Sequence, residues 1–203
     1  MEDRLAKMDP DKKYRLINAA MKEFGENRFD KASTNTIVKG AQISKGLLYH
    51  YFKSKEELYN YLVDFAMNSV SKPIVEQVGY EEMDIIKRIK HIMAIKLTVI
   101  EQYPFIVPFS KVIYAGMDYD QVKLVIEKYH PIPIDMYYQH NVDEALFREG
   151  IDVQMAVKTI QFTLEKLGDQ FMAQRNMGLD PTMESMVDEV DRYLIHFTQT
   201  YYK

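Results

Sequence analysis

Apolar residues recur at steps of three and four along almost the whole 203-residue chain, and no segment shows the alternation of a half-buried strand. The pattern predicts an all-α protein of about nine helices. A first helix runs from about Asp11 to Phe24, with Leu16, Ile17, Ala20 and Phe24 facing inward and Gly25 as its stop. Two short helices follow near 35–41 and 45–51. A fourth begins at Ser54, where Ser54-Lys55-Glu56-Glu57 is a capping box, and runs to about Ser71, beyond which Pro73 opposes continuation. Residues 73–79 are the expected hinge. A fifth helix spans about 82–103 and carries Ile85, Ile89, Ile92, Lys96 and Ile100 at helical spacing, widened by Met93 and Leu97 and ended by Pro104. A sixth covers about 105–115. A seventh starts near Asp120 and breaks around His130-Pro131-Ile132-Pro133. The last two, at 152–176 and 181–201, have the cleanest stripes: Val153, Val157, Ile160, Leu164, Leu167, Phe171, then Met183, Val187, Val190, Leu194, Phe197, Tyr201. Asp180 followed by Pro181 reads as N-cap and first helical position.

The stretch from Ser33 to Leu58 departs from simple core-building. Ser44 is a natural N-cap for the third helix, and Leu48 and Phe52, four residues apart, share its inner face. The opposite face centres on Gly46, flanked by Tyr49 and His50, with Lys45 and Leu47 at its edges. A glycine there costs roughly 1 kcal/mol against alanine. It makes sense where another molecule must come close to the backbone. Lys45 supplies charge, Tyr49 and His50 supply hydrogen bonds to phosphate or base edges, and Leu47 can meet a thymine methyl. Lys55, in the first turn of the fourth helix, opposes the helix dipole, a conflict that a bound anion would remove.

These residues carry a family resemblance. Phe24-Gly25, Thr34 and Thr36 before Ile37-Val38, Ala41, Ile43-Ser44-Lys45-Gly46, Leu48-Tyr49, Tyr51-Phe52 and Ser54-Lys55-Glu56-Glu57-Leu58 resemble the DNA-binding signature of the TetR family of transcriptional regulators. The resemblance covers about residues 12–60. It implies a helix-turn-helix made by the second and third helices, with the third entering the major groove. Thr34, Thr36, Ser44, Lys45, Gly46, Leu47, Tyr49, His50 and Lys55 then become DNA-facing candidates. Gln42 departs from the pattern, standing where the family usually has the glycine of the turn, and altered turn geometry is expected there. The implied organisation is a DNA-binding domain at 1–55 and an effector-binding and dimerisation domain at 56–203.

The final helices have more apolar surface than one stripe each can bury, which predicts a bundle with a second copy. The family likewise dimerises there, and Phe162, Leu164, Phe171, Met172, Val190, Tyr193, Leu194 and Phe197 are the candidate interface. The middle of the chain is rich in Tyr, Phe and Met, and in the family this region encloses an effector pocket. Tyr103, Phe105, Phe109, Tyr114, Met117, Tyr137 and Tyr138 are its candidate lining, with His91, Gln161 and Glu165 as polar anchors, suited to a small apolar or aromatic effector.

Charge and composition fit this reading. The net charge is −4, but residues 1–62 hold 12 Lys+Arg against 9 Asp+Glu, a balance of +3. The remainder holds 26−12=14 against 30−9=21, a balance of −7. A mildly basic head on an acidic body suits contact with DNA at one end only. Without cysteine there is no disulfide, thiolate metal site or cysteine nucleophile. The N-terminus lacks an apolar signal region and no run approaches a membrane span, so a soluble cytoplasmic protein is expected, with no membrane partner. His50, His91, His130, His140 and His196 lack metal-ligand spacing, and no glycine-rich phosphate loop follows a strand, so neither metal nor cofactor nor enzymatic activity is expected. The reading is a dimeric DNA-binding regulator, a repressor released from a double-stranded operator by a small effector. Its alternatives are a DNA-binding regulator without an effector and an all-helical enzyme.

Overall fold

The computed structural model describes residues 4–78, 81–117, 119–129, 138–176 and 182–203. Among these the protein is all-α, with nine α-helices: α1 Pro10–Lys31, α2 Thr34–Ala41, α3 Lys45–Tyr51, α4 Lys55–Gln77, α5 Ile85–Gln102, α6 Ile106–Ile113, α7 Tyr119–Tyr129, α8 Val153–Asn176 and α9 Met183–Tyr201. A short 3-10 turn, Glu144–Leu146, precedes α8. No single helix among the described residues is long and apolar enough to cross a membrane. The chain divides into two compact units, Met1–Pro73 with Thr98–Pro131, and Ile74–Leu97 with Ile132–Lys203.

The core of the first unit is built from the periodic positions of α1 to α4 and α6. Leu16, Ile17, Ala20, Phe24, Ile37, Leu48, Phe52, Leu58, Leu62 and Phe109 are all buried together. Phe24 meets Tyr59 edge-on with centroids 5.1 Å apart, and Phe109 lies beside both. Gly25 does not stop α1, which continues to a break at Arg28 (φ 53°, ψ 164°). A Cβ on Gly25 would stand 3.4 Å from the Phe109 amide nitrogen, an ordinary contact distance, so α1 and α6 pack closely at this point.

The turn between α2 and α3 keeps the geometry that a glycine would give. Gln42 takes the left-handed conformation itself (φ 55°, ψ 44°). Its N–H donates to the Lys39 carbonyl (3.2 Å) and the Ile43 N–H to the Val38 carbonyl (3.1 Å), the paired bonds of a Schellman ending. The altered geometry expected from the sequence is therefore not found, and the departure from the family pattern is absorbed as backbone strain. Gln42→Gly should raise stability by about 1 kcal/mol, measured by urea denaturation, because an L side chain in this conformation costs about that much.

Two other boundaries differ from expectation. Helix α4 does not end before Pro73 but runs through it to Gln77, so the predicted hinge is helical over residues 73–77. Asp180 and Pro181 lie outside the described residues, and the cap of α9 is Thr182, whose hydroxyl accepts the Ser185 N–H at 3.1 Å. The predicted break at 130–133 also lies outside them.

The second unit has its own core, formed by Ile85, Ile86 and Ile89 of α5, Ala156, Val157, Ile160 and Leu167 of α8, Val190, Leu194 and Phe197 of α9, and Phe147 and Tyr202. The last residues are pinned by pairing with the segment before α8. Arg148 N–H donates to the Tyr201 carbonyl (2.8 Å) and Lys203 N–H to the Leu146 carbonyl (3.0 Å). The Tyr202 hydroxyl donates to the Asp84 carboxylate (3.0 Å), and burial with that carboxylate raises its pKa.

Candidate functional site

Helix α3 is short, and its neighbours fix its position. The Ser44 hydroxyl accepts the Leu47 N–H at 3.0 Å, capping the helix as expected. Leu48 and Phe52 anchor it in the core, with the Phe52 ring 5.2 Å from that of Tyr61. On the preceding helix, Arg15 Nε donates to the Ala41 carbonyl at 3.1 Å, holding the end of α2 against α1. Gly40 permits this approach, since a Cβ there would meet the Ala19 methyl at 3.3 Å.

The outer face of α3 presents Lys45, Gly46, Tyr49 and His50, all exposed. Nothing inside the chain asks for glycine at position 46. The nearest atom to a Cβ built there is Ser44 Oγ at 3.9 Å. Tyr51 packs against the core and meets His50 edge-on at 5.0 Å. Thr36 and Ser44 are exposed and Thr34 is half-buried. Leu47 is half-buried too, packed on the core rather than turned fully outward.

Lys55 has a different role from the one the sequence suggested. Its ammonium donates to the Phe29, Asp30 and Ala32 carbonyls at 2.7, 3.3 and 3.1 Å, and it lies 4.8 Å from the Phe29 ring centroid. Three donors are thus spent closing the C-terminal end of α1, where a cation complements the helix dipole. The dipole conflict at the start of α4 is outweighed by these bonds, and no anion is needed to resolve it. The capping box at that start forms: Ser54 Oγ accepts the Glu57 N–H at 3.1 Å, while the Glu57 carboxylate reaches back to the Lys53 N–H. Hydrogen bonding from Arg4 and from that amide holds the Glu57 carboxyl below the usual carboxylate range.

The effector candidates are divided between the two units. In the first, Phe109 is fully buried core. Tyr103 packs against Tyr14 and Phe65, Lys22 lies over the Phe105 ring, the Tyr114 hydroxyl faces the Met67 sulfur, and Met117 is exposed. In the second, Gln161 is buried and donates to Glu165 at 3.0 Å, Tyr138 is half-buried, and His91 is exposed on α5. Tyr137 lies outside the described residues.

The interface candidates also divide. Val190, Leu194 and Phe197 belong to the chain's own core, with Leu164 packed against it, because the α8 and α9 stripes close on each other and on α5, and Phe171 is buried as well. The side chain of Met172 lies outside the described residues. What remains for a partner is Phe162 and Tyr193, joined by Met155 and Ile195, which sequence reasoning did not single out. Arg15 was missed as well. Its bond to Ala41 joins positions 26 residues apart, and no local pattern announces it.

Residues 16–62 match the model of the bacterial regulatory proteins, tetR family. The curated relatives include the HTH-type transcriptional regulator UidR of Escherichia coli (strain K12), 47% identical over 49 residues, which is 24% of this chain and 25% of that protein. UidR of Shigella flexneri matches equally. The chain thus spans about a quarter of the length of the curated relatives it matches. Two crystal structures are similar in fold over nearly the full length. A TetR family transcriptional regulator from Chloroflexus aurantiacus J-10-FL has a TM-score of 0.60 at 15% identity, covering 100% of this chain and 98% of that one. A putative tetR family transcription regulator from Shewanella sp. PV-4 has a TM-score of 0.53 at 16% identity, covering 96% and 100%. Residues 16–62 thus match a tetR-family domain, and the whole chain has a fold similar to those of these two regulators.

Proposed function

We propose that this protein is a dimeric DNA-binding transcriptional regulator, a repressor whose hold on its operator is weakened by a small-molecule effector. The observation that carries the reading is the outer face of α3, where an exposed glycine with no intramolecular role is ringed by an exposed lysine, tyrosine and histidine. A helix that clears its backbone and offers one cation and two hydrogen-bonding rings suits the floor of a major groove. Dimerisation is supported by apolar side chains left outward on the last two helices, with Met155 66% and Phe162 63% exposed. One such short helix reads too few bases for useful affinity, and two related by a two-fold axis read a palindrome. An effector lowers operator affinity if it binds the released arrangement more tightly than the DNA-bound one.

The test begins with selection of binding sites from a random duplex library, followed by anisotropy titration of the recovered duplex across a salt series. Lys45→Ala should flatten the slope of log affinity against log salt by about one for each copy bound. Lys55→Ala should leave the slope alone and cost about 1–3 kcal/mol of stability, because its bonds go to carbonyls rather than phosphate. Failure to enrich any sequence would sink the DNA-binding reading. An unchanged slope in Lys45→Ala would remove that residue from the interface.

A further inference from the structure

Helix α4 carries a second stripe beside the Leu58, Leu62 and Ala66 positions that build the core. Tyr61, Asp64, Phe65, Asn68, Ser69 and Lys72 fall on it at steps of three and four, and they line a groove of about 620 Å³. Arg4, paired with Glu57, stands at one end and Pro73 at the other. All of these residues belong to the first unit, and none of the effector candidates read from the sequence is among the walls. Asp64 is half-buried in the middle of the groove. Its Oδ1 accepts the Tyr129 hydroxyl at 2.5 Å, and among the described residues no donor reaches Oδ2. Asn68 spends an amide N–H on the Asp64 carbonyl at 2.6 Å, which leaves its side-chain oxygen as an acceptor. Pro73 has no N–H, so the Ser69 carbonyl lacks the donor that the helix would otherwise supply. The Tyr61 and Phe65 rings stack at 6.3 Å, and Tyr103 meets Phe65 edge-on at 4.9 Å, which fixes this aromatic wall.

The groups left over in this groove are acceptors, gathered about one carboxylate. A ligand that satisfies them brings donors and a positive charge. A protonated primary amine brings both, with three N–H groups for the Asp64 carboxylate, the Asn68 side-chain oxygen and the Ser69 carbonyl. The two rings attract a cation and cover an apolar body. Glu57 is already engaged by Arg4, so Asp64 is the carboxylate with capacity to spare. Lys72, exposed about two turns further along α4, repels a second positive charge. The volume falls within the range of about 300–1,000 Å³ usual for small-molecule sites. We propose that this groove binds an organic monoamine, carried as its ammonium on a flat apolar body, and discriminates against polyamines. Asp64 anchors the ammonium, Asn68 and Ser69 take its remaining N–H groups, and Tyr61 and Phe65 hold the body. The site lies in the unit that contains the DNA-binding head, and its assignment is independent of the effector reading above.

Calorimetric titration of the full chain tests this with phenethylamine and tryptamine, with 2-phenylethanol as the uncharged isostere and spermidine as the polycation. Phenethylamine should bind about ten-fold or more tightly than 2-phenylethanol, and one of the two aromatic amines should bind more tightly than spermidine. Asp64→Asn should erase the preference for amine over alcohol while keeping an acceptor for the Tyr129 hydroxyl. Tyr129→Phe breaks the same internal bond but keeps the carboxylate, so it should retain the preference. Tyr61→Leu should weaken the amine and leave its advantage over the alcohol in place. Lys72→Glu should raise the affinity for spermidine. Neither aromatic amine binding at millimolar concentration, the alcohol binding as tightly as phenethylamine, or an unchanged preference in Asp64→Asn would each overturn the site. Loss of the preference in Tyr129→Phe to the same degree as in Asp64→Asn would overturn it too, since the carboxylate would then act only by bracing α7. Spermidine affinity unmoved by Lys72→Glu would overturn the selection for a single charge.

Discussion

Gly46→Ala is expected to stabilise the protein and to damage DNA binding in the same variant. On the folding side, alanine replaces glycine within a helix, which is worth about 0.5–1 kcal/mol. No clash offsets the gain, because the nearest atom to the new Cβ is 3.9 Å away. For a chain of this size the melting temperature should rise by about 1–4 °C. On the binding side, the added methyl stands at the centre of the exposed face proposed to meet the groove. A displacement costing about 1.4 kcal/mol at each half-site is a tenfold loss per copy and a hundredfold loss for the dimer. Gly25→Ala is the matched control away from that face: its Cβ would make ordinary contacts with the α6 backbone at 3.4 and 3.5 Å, so operator affinity should not change. Thermal denaturation and anisotropy titration on the same preparations read both effects. A fall in melting temperature for Gly46→Ala would reveal an intramolecular role, and unchanged operator affinity would take the glycine out of the interface.

The contrast between the two glycines shows what the sequence could and could not convey. Inner faces were legible because one period identifies them, and Leu16, Ile17, Phe24, Leu48 and Phe52 are all buried as read. The role of a lone glycine was not, since a helix stop, a close helix approach and an open interface ask for the same residue. Lys55 shows the same limit for charge. Its conflict with the α4 dipole is local and readable, but its resolution lies on carbonyls 23 to 26 residues earlier, brought there only by the fold. The stripes of α8 and α9 fixed which face is buried without saying what covers it, and most of the predicted interface proved to be the chain's own core. Gln42 is the converse case. The two Schellman bonds impose the turn, so the geometry survives a residue that local preference disfavours.

Arg88 drew no notice in the sequence and carries the largest expected effect on stability. It is 1% exposed, a guanidinium held inside the second unit. Nε donates to the Glu82 carbonyl at 2.9 Å and Nη2 donates to the same oxygen. Nη1 donates to the His140 carbonyl at 2.7 Å and Nη2 to that of Asn141 at 3.0 Å. Asn141 has a positive φ of 52°, so the strained turn at 140–141 and the approach to α5 are tied by one side chain. Arg88→Met fills similar volume but leaves three backbone acceptors without this donor. Each unsatisfied group costs about 1–3 kcal/mol, and partial rescue by water brings the expected total to about 3–5 kcal/mol. The melting temperature should then fall by about 10–15 °C. Arg88→Lys keeps the charge but loses the planar fork that reaches carbonyls on both sides, so it should fall between wild type and methionine. Hydrogen exchange should quicken first at the Asp143 amide, which donates across the same junction to the Met83 carbonyl at 3.0 Å. A methionine variant that melts within 2 °C of wild type would mean that water replaces the guanidinium without loss, and that the turn at 140–141 holds its shape by other bonds.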